Sequence, residues 1–76
     1  MQDTIINIIS GYTTVDAAEI GADTDIIQKL DISSLDLVNI INDIEKEFEV
    51  EIPFHNIRNF KTISDITEYL SKLVKS

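Results

Sequence analysis

The stretch Ser33-Ser34-Leu35-Asp36-Leu37-Val38-Asn39-Ile40-Ile41-Asn42-Asp43-Ile44-Glu45-Lys46-Glu47-Phe48 decides how this chain folds. At ~100° of rotation per residue, Leu37, Ile40, Ile41, Ile44 and Phe48 fall within one apolar arc, with Val38 at its margin. That spacing predicts an amphipathic helix over about 34–49. Ser33 is a good N-cap type, and Asp36 three residues on gives an approximate capping box with an acid in the first turn. The helix must end by Ile52-Pro53, because a residue before proline is pushed out of helical conformation.

Working outward, Asp3–Ser10 carries Ile5, Ile6, Ile8 and Ile9 and stops before Gly11, which predicts a short helix. The β-branched isoleucines would also suit a strand. A long connection follows from Gly11 to Ser33. Its Val15, Ile20, Ile26, Ile27 and Leu30 predict that it packs over the core, with a short helical turn near Asp16–Ile20. Past Pro53 a helical turn is expected around His55–Asn59. A last helix, about Ile63–Val74, opens with Thr62 and Asp65 in capping-box spacing, and its Ile63, Ile66, Leu70, Leu73 and Val74 share a face. The expected fold is all-α: a small four-helix bundle of three main helices and one short one, with a long loop between the first and second.

Composition narrows the function. The chain has 76 residues, 43% of them hydrophobic, enough for one domain with a compact core and too few for a deep enclosed active site as well. It has no cysteine, which excludes disulfides and thiolate metal sites. The start, Met1-Gln2-Asp3, lacks a signal-peptide pattern and no apolar run approaches the ~20 residues that span a bilayer, so a cytoplasmic protein without membrane insertion is expected. The formal charge is -8, unevenly spread. Residues 1–30 hold five acids and one lysine, residues 31–51 seven acids and one lysine, and residues 52–76 two acids and four bases. Such a balance opposes nucleic-acid and anionic-membrane binding and favours basic protein partners, or serves solubility alone.

Little here can catalyse. The single histidine, His55, lies near no nucleophile in sequence, and two glycines cannot build a phosphate loop. Asp23 and Asp25 lack the third acid, central glycine and terminal glutamate of an EF-hand loop. The second helix offers more. Leu35 lies roughly 150° from the core stripe, beside Asn39, Asn42 and Lys46 and flanked by Asp36, Asp43, Glu45 and Glu49. An apolar knob amid acids suits docking by a basic partner with a hydrophobic dimple. Ser34, in the first turn, sits where unpaired N–H groups and the helix dipole favour a phosphodiester. Chemistry alone leaves two readings open: a modified serine, or a serine that only caps.

The pattern Ser34-Leu35-Asp36-x-Val38, then Glu45-x-Glu47-Phe48-x-x-Glu51-Ile52-Pro53, resembles the acyl carrier protein family in residue type and spacing. The likeness runs on through Lys61-Thr62-Ile63-x-Asp65-Ile66-x-x-Tyr69-Leu70 and back to Asp23-Thr24-x-Ile26, covering essentially the whole chain. The resemblance implies that Ser34 receives 4′-phosphopantetheine from coenzyme A through a magnesium-dependent phosphopantetheinyl transferase. The arm's thiol would carry acyl groups to acyltransferases, ketosynthases or related enzymes, and the polypeptide itself, a monomer, would catalyse nothing. Leu35, Asp36, Asn39, Asn42, Asp43, Glu45 and Lys46 would form the partner-docking surface. Ile27, Val38, Ile41, Ile44, Ile57 and Ile63 are candidates to line an acyl-chain pocket. Within the family motif Leu-Gly-x-Asp-Ser-Leu, the glycine is Asp31 here and the aspartate before the modified serine is Ser33. Asn39 and Lys46 stand where acids are common. These departures suit a carrier tuned to different enzymes, as in a specialised polyketide, secondary-metabolite or aminoacyl pathway. The reading from another class is an unmodified acidic helical interaction module.

Overall fold

A computed structural model describes residues 1–73. Four helices follow in order: α1 (Gln2–Ser10), α2 (Ser34–Phe48), α3 (Phe54–Ile57) and α4 (Ile63–Leu73). No strand occurs among the described residues; a single bridge joins Asp25 to Thr62. α1 packs against both α2 and α4, and α3 packs against α2. The isoleucine-rich first segment is therefore a helix, because Ile5, Ile6 and Ile9 bury one face at helical spacing and tertiary packing overrides their strand preference.

The core is one cluster of aliphatic side chains, with Phe60 as its one buried aromatic. α2 contributes Leu37, Ile40, Ile41 and Ile44, α4 contributes Ile63, Ile66 and Leu70, and no polar side chain is buried among the described residues. Each fully buried isoleucine contributes roughly 1.5–3 kcal/mol of transfer free energy. Phe48 packs against this cluster half-buried, and Leu73 is 41% exposed, since the end of α4 runs past the core. Val74, expected to extend that face, lies outside the described residues.

The long connection is pinned down. Ile20, Ile26, Leu30 and Ile32 are buried, and a 3₁₀ turn over Ala17–Glu19 supplies the expected local helix. Backbone bonds from Ile26 N to Lys61 O (2.7 Å) and from Ser64 N to Ala22 O (2.9 Å) lace it to the start of α4. Asp25 caps a turn by accepting from Gln28 N at 2.7 Å. Ile27 differs from expectation: it is 40% exposed, because the turn that buries Ile26 directs its neighbour outward. α3 begins one residue earlier than predicted. Pro53 presets its entry, its carbonyl accepts from Asn56 N at 3.0 Å, and further turns reach Phe60.

α2 ends at Phe48, ahead of the proline. Glu49 takes the left-handed conformation (φ 56°), and Val50 N closes back onto Glu45 O at 3.1 Å. α4 opens with a complete capping box. Asp65 N donates to Thr62 Oγ1 (3.3 Å), while the Asp65 carboxylate accepts from the backbone N–H groups of Thr62 and Lys61. No helix among the described residues is long and apolar enough to cross a membrane.

Candidate functional site at the start of helix α2

Leu30 and Ile32 are buried, whereas Asp31 between them is exposed and left-handed, with φ 54°. That conformation costs a side-chain-bearing residue roughly 1 kcal/mol or more, least for Asp and Asn. It lets the chain turn sharply and present Ser33 and Ser34 together at the surface. Thr13 Oγ1 donates to Leu30 O at 3.0 Å and ties this turn to the segment after α1.

The two serines differ in what their hydroxyls do. Ser33 is the N-cap: its backbone is extended and its Oγ accepts from Asp36 N at 3.1 Å. Its carbonyl accepts from Leu37 N at 2.9 Å. Ser34 is the first helical residue, is exposed, and its hydroxyl has no hydrogen-bond partner among the described residues. The N–H groups of Ser34 and Leu35 are likewise without a protein acceptor there, and they stand at the positive end of a 15-residue helix. A free primary alcohol beside two free donors can hold a phosphodiester without displacing any existing bond.

Around it, Leu35 stands 71% exposed. Asn39, Asn42 and Lys46 continue the same outward row and are exposed, while Asp36 is half-buried. Two other docking candidates are already engaged. Asp43 Oδ2 accepts from Tyr12 Oη at 2.5 Å, and Glu45 Oε2 accepts from Ile52 N at 2.6 Å. The bond to Asp43, first, and then desolvation and the nearby carboxylates of Asp43 and Asp36 push the Tyr12 phenol above its ordinary range. The tyrosine was not legible as a partner of this helix, since 31 residues separate it from Asp43.

Of the acyl-pocket candidates, Ile41, Ile44, Ile57 and Ile63 are in the packed core, Val38 is half-buried at its edge, and Ile27 faces outward. An open polar depression lined by Tyr12, Thr13, Leu30, Asp31 and Asp36 runs beside the first turn of α2. Among the described residues no cluster of His, Cys, Asp and Glu could hold a metal ion.

A family model described as "Phosphopantetheine attachment site" matches residues 3–70. The chain belongs to the acyl carrier protein family. The chain is 36% identical over 72 residues to the acyl carrier protein of Clostridium perfringens, covering 95% of each chain. It is 35% identical to that of Syntrophobacter fumaroxidans, over 95% of this chain and 89% of the relative. With the acyl carrier protein of Onion yellows phytoplasma it shares 34% over 65 residues, 86% of each. The cofactor of this acyl carrier protein is 4′-phosphopantetheine. The first turn of α2 fits such a group, having a free exposed alcohol, free backbone donors and no buried charge to displace.

Proposed function

We propose that residues 1–76 form one carrier domain in which Ser34 holds 4′-phosphopantetheine and delivers acyl thioesters to enzymes of fatty-acid or related polyketide-type synthesis. The observation that supports this most is the division of labour between adjacent hydroxyls. That of Ser33 is committed to the Asp36 N–H, and that of Ser34 is free and exposed. Loading joins Ser34 Oγ to the phosphorus of coenzyme A nearer the pantetheine and breaks the phosphoanhydride bond, releasing 3′,5′-ADP. The hydroxyl proton passes to a base of the phosphopantetheinyl transferase, since among the described residues no side chain hydrogen-bonds to Ser34 Oγ. When bound, the group supplies the thiol that a cysteine-free chain lacks.

The chain's own residues then recruit and orient partners. Leu35 is the apolar anchor, with Asp36, Asn39, Asn42 and Lys46 around it and Asp43 and Glu45 adding negative field from their tethered positions. Ile41, Ile44, Ile57 and Ile63, with Val38 at the edge, would shelter an acyl chain when the helices part. The carrier is a cytoplasmic monomer, non-catalytic, and works by raising effective concentration. A specialised pathway is the second reading, supported by the uncharged and basic outward row of Asn39, Asn42 and Lys46 and by Ser33 in place of an acid.

Intact mass after incubation with coenzyme A and a broad-specificity transferase is the test. Wild type and Ser33→Ala gain one phosphopantetheinyl group, and Ser34→Ala gains none. An unchanged wild-type mass, or a gain that persists in Ser34→Ala, overturns the assignment. The mass of protein purified from its native host reads the acyl group and so separates the pathways.

A further inference from the structure

The space between α3 and α4 is closed by side chains rather than by backbone. α3 lies beside α2, and its backbone makes no close approach to α4. Ile57 and Phe60 are buried on the α3 side, and Ile63, Ile66 and Leu70 on the α4 side. A single polar link crosses this apolar seam. Asn56 Nδ2 donates to Tyr69 Oη at 2.7 Å, the one side-chain hydrogen bond that joins two helices among the described residues. Phe60 meets the Tyr69 ring edge-on, with centroids 5.4 Å apart and planes at 63°, which holds the ring in place. Asn56 and Tyr69 are both half-buried, at the rim of a core with no buried polar side chain among the described residues.

The link leaves hydrogen-bonding capacity over. A phenol that accepts keeps its own O–H to give, and Asn56 Oδ1 has no partner among the described residues. Turning the amide over would make the phenol the donor and free an Asn56 N–H instead, so the pair offers one donor and one acceptor either way. A hydroxyl group satisfies both at once, accepting from one and donating to the other. A methylene in its place satisfies neither and shuts both away from water. We infer that Asn56 and Tyr69 form a binding site for a hydroxyl group on an acyl chain sheltered between α3 and α4, so that the carrier retains hydroxylated chains in preference to saturated ones. The inference rests on the reading that Ser34 carries such a chain. Asn56 directly precedes Ile57 on α3 and Tyr69 shares α4 with Ile63, so helices that part to admit a chain among those isoleucines part at this pair as well.

The experiment loads the full chain from coenzyme A analogues in which an amide replaces the thioester, bearing octanoyl or its 3-hydroxy, 5-hydroxy or 7-hydroxy derivative. Intact mass verifies loading, and the Tm and the side-chain amide signals of Asn56 are then read. At least one hydroxylated chain shifts the Asn56 signals and raises the Tm above that of the octanoyl form by about 4–8 °C, the shift that roughly one hydrogen bond makes in a domain this size. Asn56→Leu and Tyr69→Phe abolish that advantage, leaving the octanoyl form at least as stable. Tyr69→Phe keeps the ring against Phe60 and removes only the hydroxyl, so it reads the site even where Asn56→Leu disturbs the fold. The inference is overturned if octanoyl stabilises as much as every hydroxylated chain. It is overturned equally if the variants lower all the Tm values alike and preserve the hydroxyl advantage, the mark of a purely structural link. An absent mass gain refutes the carrier assignment itself, and this inference with it, whereas a loaded protein without preference overturns the inference alone.

Discussion

Replacing Ser33 and Ser34 one at a time should separate folding from function at adjacent positions. In Ser33→Ala the Asp36 N–H loses its acceptor, now held at 3.1 Å, and the first turn of the longest helix frays. Loss of such a cap costs 0.5–2 kcal/mol, typically ~1. For a domain of this size that corresponds to a fall in Tm of roughly 4–8 °C. Ser33→Asp restores a side-chain acceptor and adds a favourable charge at the helix start, so it should match or exceed wild type. Ser34→Ala removes a hydroxyl with no partner among the described residues from an exposed first-turn position, and its stability should stay within ~0.5 kcal/mol. Urea denaturation followed by far-ultraviolet circular dichroism measures all three. Equal destabilisation by Ser33→Ala and Ser34→Ala would refute the division of roles, as would a Ser33→Ala variant as stable as wild type.

Asp31 (φ 54°) gives a second expectation: Asp31→Gly relieves left-handed strain and is neutral to ~1 kcal/mol stabilising, whereas the β-branched Asp31→Val loses at least ~1 kcal/mol, read from denaturation midpoints. Backbone N–H groups of Lys61 and Thr62 hold the Asp65 carboxyl below its ordinary value of 3.8. A lowered folded-state value means that this stabilisation is present above about pH 4 and is lost as pH falls through the folded value, so the Tm gap between wild type and Asp65→Asn should narrow on acidification. Tyr12 behaves in the opposite sense. Its folded-state value lies above 10.0, so the Asp43 bond stabilises fully below pH 10 and is lost as pH rises through the folded value. Tyr12→Phe should therefore be less stable at pH 7 and converge with wild type in alkali, again by Tm.

Helix positions were legible because their signals are local. The apolar stripe of α2, the capping pairs Ser33/Asp36 and Thr62/Asp65, and Pro53 all act within a few residues. The spacing of Ser34 to Leu35-Asp36 and to Ile52-Pro53 carried the family resemblance for the same reason. What escaped depends on distant contacts. Whether Ile26 or Ile27 enters the core depends on which backbone N–H pairs with Lys61 O, 35 residues along the chain. Tyr12 meeting Asp43 depends on how α1 packs on α2, and the sequence around neither residue signals it.

The engaged carboxylates change how the docking surface must be tested. Glu45 would be an obvious place to reverse charge, yet its Oε2 holds Ile52 N at 2.6 Å where the chain leaves α2 and turns toward Pro53. Glu45→Lys therefore both adds positive charge to the docking face and leaves a buried residue's N–H without its acceptor. The second effect alone costs about 1–3 kcal/mol when the group is left dry. A slower loading rate in that variant would not distinguish docking from a loosened α2–α3 junction. Glu45→Gln keeps an acceptor and removes one negative charge, whereas Lys46→Glu adds negative charge at an exposed position. If docking is electrostatic, loading by a transferase with a basic face should slow in Glu45→Gln and quicken in Lys46→Glu, both differences shrinking as salt rises. Equal rates across wild type, Glu45→Gln and Lys46→Glu at low salt would refute electrostatic steering and leave Leu35 as the element that partners recognise.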